Sequence, residues 1–270
     1  MVVRRKKRIE TRSPIVDVPL RQAGQSIQSE LDKLIHDRVM LAVFVTCIGI
    51  ALAVFEWWNW YRDAPRQPWA VTAAACTLAL IAVVYVCKAI PRIKRLQLGL
   101  DGEIAVGQLL EELRASGYIV LHDLIEVRGN KRFNIDHVLV GPGGIFVIET
   151  KTRSKPGAGR AVVIYDGKMV RVGGGPPDDA PINQATANAR HVRSILQEVT
   201  GRSGIAVQGV VLYPGWYVRS HSQRSDVKVM NPKMFQIYAQ KEPKRLKSED
   251  VALYSTRLKE RAVIIQNHKK

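Results

Sequence analysis

Two long apolar stretches constrain this 270-residue chain more than anything else in it. From Val39 to Trp58 it reads VMLAVFVTCIGIALAVFEWW, with Glu56 as the only charge, close to one end. From Trp69 to Cys87 it reads WAVTAAACTLALIAVVYVC, with no charge at all. Crossing the hydrocarbon core of a bilayer takes roughly 20 apolar residues at 1.5 Å rise each, and both stretches qualify. Paired helices buried in a water-soluble core normally keep a polar stripe, and these show none. The pattern predicts two transmembrane α-helices, about 39–58 and 69–87, joined as a hairpin.

The flanks orient it. Trp57, Trp58, Trp60, Tyr61 and Trp69 surround the short connection Asn59–Pro68, as expected of rings that favour the headgroup interface. Arg4, Arg5, Lys6, Lys7, Arg8 and Arg38 precede the first stretch, and Lys88, Arg92, Lys94 and Arg95 follow the second. Positive charge on both outer flanks predicts a multi-pass protein of the cell (inner) membrane with both termini cytoplasmic. More than thirty residues precede the first stretch, which argues against a cleaved signal peptide. The three cysteines, Cys47, Cys76 and Cys87, lie in apolar surroundings, with no CxxC and no histidine at ligand spacing. They read as small hydrophobes rather than a zinc site or a disulfide framework.

The net charge is +17, and most of it lies beyond the hairpin: residues 91–270 hold 29 Lys/Arg against 17 Asp/Glu, a net of +12. Anchoring alone does not explain that excess; a polyanion such as nucleic acid does. Residues 1–38 form a basic N-terminal segment. Within it Ile27, Leu31, Leu34 and Ile35 outline a short amphipathic helix over 25–38, either on the membrane surface or in a solvated tail.

Beyond Pro91 the elements of an α/β domain can be read. Asp101 stands as N-cap of a helix that Gly117 ends, with Glu103, Val106, Gly107 and Leu110 on one face. Tyr118–Val127 reads as a strand, followed by the basic turn Arg128 to Arg132. Then FNIDHVLVGPGGIFVIETKT forms two strands around Gly141–Gly144. A hairpin turns at Asp166–Gly167, and a helix over Ile182–Val199 places Gln184, Asn188 and His191 on one face. That face is either a contact for a nucleic-acid backbone or simply solvated. Gly204–Tyr213 and Asp226–Met230 read as strands, and Pro232–Gln240 and Glu249–Gln266 as helices. Trp216 and Tyr217, beside Arg219 and His221, either stack on bases or pack their own loop.

Period-2 alternation aligns Asp136 with Val138 and Val140, and Glu149 with Val147 and Lys151. Two acids and a lysine can therefore converge at neighbouring strand ends. That set suits phosphodiester hydrolysis: carboxylates hold Mg²⁺ (or Mn²⁺), and an ammonium orients water or offsets charge on the phosphate. A surface acid and a cross-strand Glu–Lys pair is the plainer alternative.

GLDGE (99–103), IDHVLVGPGGIFVIETK (135–151) and PINQ (181–184) resemble the nuclease-related domain, NERD, itself similar to the PD-(D/E)xK restriction-endonuclease-like superfamily. The resemblance covers roughly residues 97–215. It implies a restriction-endonuclease-like mixed central sheet flanked by helices, here preceded by the two transmembrane helices. It also implies a domain over 91–240, leaving 241–270 as a basic helical tail. By this resemblance Glu103 matches a helix acid, Asp136 and Glu149 the metal-binding acids, Lys151 the catalytic lysine and Gln184 a conserved glutamine. Glu103, Asp136 and Glu149 are then the expected metal ligands. Arg128, Lys131, Arg132 and Arg153 are the expected nucleic-acid contacts, DNA being the expected partner. The function expected is a membrane-anchored, metal-dependent nuclease. The alternative is a membrane-tethered binding or regulatory module without turnover. No GxGxxG or GxxxxGK signature supports nucleotide hydrolysis.

Overall fold

The computed structural model describes residues 20–62, 67–155, 161–222 and 226–267. The basic run Arg4–Arg8, Pro14 and Pro19, positions 63–66 of the connection and the tail end 268–270 lie outside the described residues.

Both apolar stretches are helical. The first belongs to a rod made of α1 (Gln25–Leu34), a π-helical segment (Ile35–Met40) and α2 (Leu41–Tyr61). The second is α3 (Pro68–Glu111), 44 residues long. Only 6% of the most apolar stretch of each helix is buried, and Phe44, Val54, Leu80 and Ile81 are exposed. Both helices are long and apolar enough to cross a membrane, and their faces are not those of core helices. Small residues let α2 and α3 approach: a Cβ at Gly49 would lie 3.5 Å from that of Ala75. Near the connection the Trp57 indole donates to Thr72 Oγ1 at 2.9 Å and meets Trp60 and Trp69 edge-on.

Asp101 is not an N-cap. α3 runs unbroken through Pro91 and Asp101, so the helix that carries Glu103 is the second apolar helix continued. Pro91 removes one helical hydrogen bond, at a typical cost of about 3 kcal/mol, which normally ends a helix. Here α1 packs along the next turns, with Ile27 against Gly99 and Leu100 against Gly24. The helix expected over 25–38 is α1, continued by the π-helical segment, and it is not a free tail. It buries Leu31 and lies along α3. As expected, Gly117 stops the helical run, at φ 83° after a 3₁₀ turn.

Nine strands lie among the described residues. They are β1 (Ile119–Arg128), β2 (Lys131–Gly141), β3 (Gly144–Thr150), β4 (Val162–Tyr165) and β5 (Val170–Val172). The rest are β6 (Pro177–Asp178), β7 (Val207–Leu212), β8 (Tyr217–Ser220) and β9 (Val227–Met230). All but β6 and β8 fall where the sequence pattern places strands. The central sheet has the order β1-β2-β3-β7-β9, antiparallel over its first three strands and parallel from β3 onward. A second sheet has the order β6-β5-β4-β8. Three helices complete the chain: α4 (Ala180–Thr200), α5 (Pro232–Lys241) and α6 (Ser248–Asn267).

Alternation sorts the core into layers. Val138, Val140, Ile145 and Val147 pack with Val192 and Leu196 of α4 and Leu258 of α6. Leu139, Phe146 and Ile148 face the other way, against Val106 and Leu110 of α3 and Phe235 of α5. The result is an α/β fold with a mixed central sheet flanked by helices, and with two long apolar helices ahead of it, as expected. Trp216 is buried in the third cluster, between the two sheets, and donates to the Arg153 carbonyl at 3.1 Å. Trp216 therefore packs its own loop, whereas Tyr217 is 63% exposed.

Candidate active site

The strand parity that puts Val138 and Val147 in the core carries on to Asp136, midway along β2, and Glu149, near the end of β3, which sit on the same face. Both are buried, as is Glu103 on α3. Just after β3, Lys151 Nζ donates to Glu149 Oε1 at 2.7 Å and to Gln184 Oε1 at 2.9 Å. Thr150 fixes the other strand acid, its backbone N–H donating to Asp136 Oδ2 at 2.7 Å. α3 closes on this corner at Gly102, where a Cβ would fall 1.7 Å from Thr152 Oγ1 and 2.8 Å from Thr152 Cβ. The close approach seats Glu103, one residue on, beside the strand ends. All five expected site residues therefore meet in one place.

Three buried carboxylates with one ammonium between them are electrostatically unbalanced. Burial pushes the Glu103 carboxyl up to about 7; the charges of Asp123 and Glu149 add to it, and the Gly24 amide and Lys151 oppose it. Asp136 is raised well above the ordinary carboxylate range, first by burial and then by the charges of Glu149 and Glu103. Burial also raises Glu149, while Lys151 pulls it down. Such clustering of perturbed acids in a cleft is what a functional site produces more often than a folding core does.

The donor set is entirely oxygen, and Glu103 Oε2 is buried without a partner. Those features fit a hard divalent cation such as Mg²⁺, which takes one or two carboxylates and keeps several waters. The carboxylates do not form a ready-made three-ligand cage: among the described residues no group of three His, Cys, Asp or Glu side chains is placed to hold a metal by itself. The residues present suit a cation held partly by water and partly by substrate.

A cleft of about 640 Å³ opens at the acids. Glu103, Asp136, Asn188 and Gln184 line it together with Arg128, Lys131, Arg132 and Phe133. Arg128 lies over the Phe133 ring, 5.3 Å from its centroid, and donates to the Ala187 carbonyl. Arg153, the fourth expected contact, lines a separate groove with Lys155, Asp178 and Trp216. The α4 face carrying Gln184, Asn188 and His191 runs from exposed Gln184 through buried Asn188 to half-buried His191. Asn188 is buried, 3.4 Å from Glu149 Oε2, and His191 pairs with buried Glu126, which Arg261 of α6 also meets.

Two parts of the site escaped the sequence reading. Asp123 lies in β1 directly opposite Asp136, where the ladder skips a pair between His122↔His137 and Leu124↔Ile135. It has φ 50°, the only positive φ outside glycine among the described residues, and it is buried. A lone aspartate inside the apolar run IVLHDLIEV was the available signal. The second is the segment ahead of α2: Ser26, Ile27 and Glu30 also line the cleft. Nothing in the sequence brings residues 20–30 to a site read from residues 103–184, because that contact is made across the whole hairpin.

The geometry agrees with one family comparison. Residues 98–214 match the model of the nuclease-related domain, NERD. No curated protein and no solved structure matches the chain.

Proposed function

We propose, with the nuclease-related domain over residues 98–214 as premise, that this chain hydrolyses phosphodiester bonds of nucleic acid, DNA above all, at a membrane surface. The observation that carries this reading is Lys151 held between Glu149 and Gln184 beside two further buried acids, which line a cleft with Arg128, Lys131 and Arg132. Glu103, Asp136 and Glu149 would hold Mg²⁺ or Mn²⁺, which supplies an acidified water and neutralises charge on the phosphate. Lys151, fixed by its two acceptors, is placed to orient a nucleophilic water and to stabilise charge developing on a phosphoryl oxygen. Gln184 limits the rotation of that ammonium, and Thr150 holds Asp136 in one rotamer. Arg128, Lys131 and Arg132 contribute phosphate contacts, which give affinity that falls with salt and carries no sequence information.

The hairpin reads as the membrane anchor, with the domain on the cytoplasmic side. Arg38 and the run Lys88–Arg95 flank its inner ends, which supports that orientation. The contact of α1 with α3 supports both chain ends lying on one side.

The test is cleavage of single-stranded, duplex and branched DNA and of RNA by the full chain in lipid nanodiscs, with Mg²⁺, Mn²⁺ or EDTA. Lys151→Ala and Asp136→Ala should each lower the rate by about 10²–10⁴-fold. Rates equal to wild type in both variants would end the nuclease reading. Salt-sensitive binding without cleavage would favour a binding module instead. A reporter fused after residue 95 that reads as exported would overturn the orientation.

A further inference from the structure

We infer that the segment Leu20–Glu30, which precedes the first apolar helix, is a working wall of the candidate active site, with Arg21 as the latch that holds it there. This rests on the nuclease reading of the cleft. The segment reaches the site through several independent contacts. The Gly24 backbone lies against the Glu103 carboxylate and favours its charged form. Arg21 Nε donates to Asp123 Oδ2 at 2.5 Å, and Ser26 Oγ donates to the same oxygen at 3.1 Å. Arg21 also donates to Ser26 Oγ at 3.0 Å, closing a three-membered set around a carboxylate that is fully buried. Farther along, Glu30 pairs with Arg92 of α3 at 2.6 Å.

The packing agrees. α3 keeps glycine where the segment crosses it: a Cβ at Gly107 would lie 2.7 Å from that of Ala23, and one at Gly99 would lie 3.5 Å from Ile27 Cδ1. Ser26, Ile27 and Glu30 then line the same cleft as Glu103, Asp136, Arg128, Lys131 and Arg132. Without the segment, Glu103 would lose the Gly24 backbone beside it and Asp123 would be a buried charge without its cation, which is costly. Arg21 pairs with Asp123 and not with Glu103, Asp136 or Glu149. It is a positioning residue, acting through Asp123 and the Gly24 amide on Glu103. A substrate in the cleft would therefore meet both the basic β1–β2 turn and the segment from the other end of the hairpin.

The experiment compares Arg21→Ala, Arg21→Lys, Gly107→Ala and the pair Gly107→Ala with Ala23→Gly, all as full chains in nanodiscs. Mn²⁺ binding is read by electron paramagnetic resonance, kcat and KM by cleavage, and folding by thermal unfolding. Arg21→Ala and Gly107→Ala should each weaken Mn²⁺ by about 10–100-fold, the effect usual for a group that orients a ligand, and lower kcat more than they raise KM. Arg21→Lys should recover part of the loss, and Ala23→Gly should restore Gly107→Ala by returning the space. A wild type that binds Mn²⁺ and cleaves, with variants that match it, overturns the wall and leaves the nuclease reading standing. Loss in Gly107→Ala that Ala23→Gly does not restore also overturns it, and this pair remains decisive if Arg21→Ala fails to fold. A wild type that neither binds Mn²⁺ nor cleaves removes the nuclease reading and the wall with it.

Discussion

Gly102→Ala sets two effects against each other, and the structure says which wins. In the interior of a helix such as α3, replacing glycine by alanine stabilises by about 1 kcal/mol. The added methyl, however, falls 1.7 Å from Thr152 Oγ1 and 2.8 Å from Thr152 Cβ. Rotating the threonine about χ1 removes the first collision but not the second, because Cβ is fixed to the backbone. Restoring a contact of about 3.6 Å requires α3 and the strand end to separate by roughly 0.8 Å. Overpacking of this kind costs about 1–3 kcal/mol, so net stability falls by about 0–2 kcal/mol. Activity suffers more. Glu103 follows Gly102 and Lys151 precedes Thr152, so the separation opens between the helix acid and the lysine. A misplacement near 1 Å costs on the order of 10²-fold in rate. The assay is kcat for oligonucleotide cleavage beside the unfolding temperature, with Thr152→Gly added to remove the obstructing Cβ. The expected result is a fall in kcat of about 10²-fold with a small stability change, and partial recovery in the double variant. Wild-type kcat together with a raised unfolding temperature would refute the close approach and the reasoning built on it.

Two further outcomes follow from the same geometry. Because Glu103 titrates near 7 and Asp136 is also raised, protons compete with a cation at these oxygens. Mn²⁺ affinity should therefore climb as pH rises through about 7. The metal-free fold should lose stability as pH rises from the ordinary glutamate range towards that value, since the folded state holds the proton more tightly. Titration calorimetry across pH 5.5–8.5 checks the first; a flat affinity would count against the acids as ligands. Trp216→Ala should destabilise the fold by about 3–5 kcal/mol, while Tyr217→Ala should leave stability nearly unchanged, which chemical unfolding distinguishes.

Local signals made most of the domain readable before its structure. Alternation in FNIDHVLV and IFVIET placed β2 and β3, and the glycine–proline turn between them set their register. Fixing that register also fixed Asp136 and Glu149 on one face. The helical spacing of Glu103, Val106 and Leu110 told which side of α3 is buried, but not where the helix begins. The N-cap expected at Asp101 failed because proline and aspartate are weak stops when a second helix packs alongside. Asp123 was invisible for a different reason. Its role depends on a backbone kink opposite Asp136 and on Arg21, which lies 102 residues earlier in the chain. Contacts of that separation leave no trace in periodicity or spacing.

Two rods, not one, leave the apolar hairpin for the site: α2 continued backward through α1, and α3 continued forward to Glu103. A single stalk could swivel about its own axis almost freely. Two struts cross-braced at Ala23 with Gly107, Ile27 with Gly99 and Glu30 with Arg92 cannot. The mount thus sets a heading as well as a height. Counted along α3, Glu103 stands about 24 Å beyond Cys87, at 1.5 Å per residue. A freely diffusing enzyme samples every approach to its substrate. On the proposed anchoring and activity, the cleft is held at a fixed stand-off and bearing, so which strands it could meet would be decided by how they lie relative to the membrane.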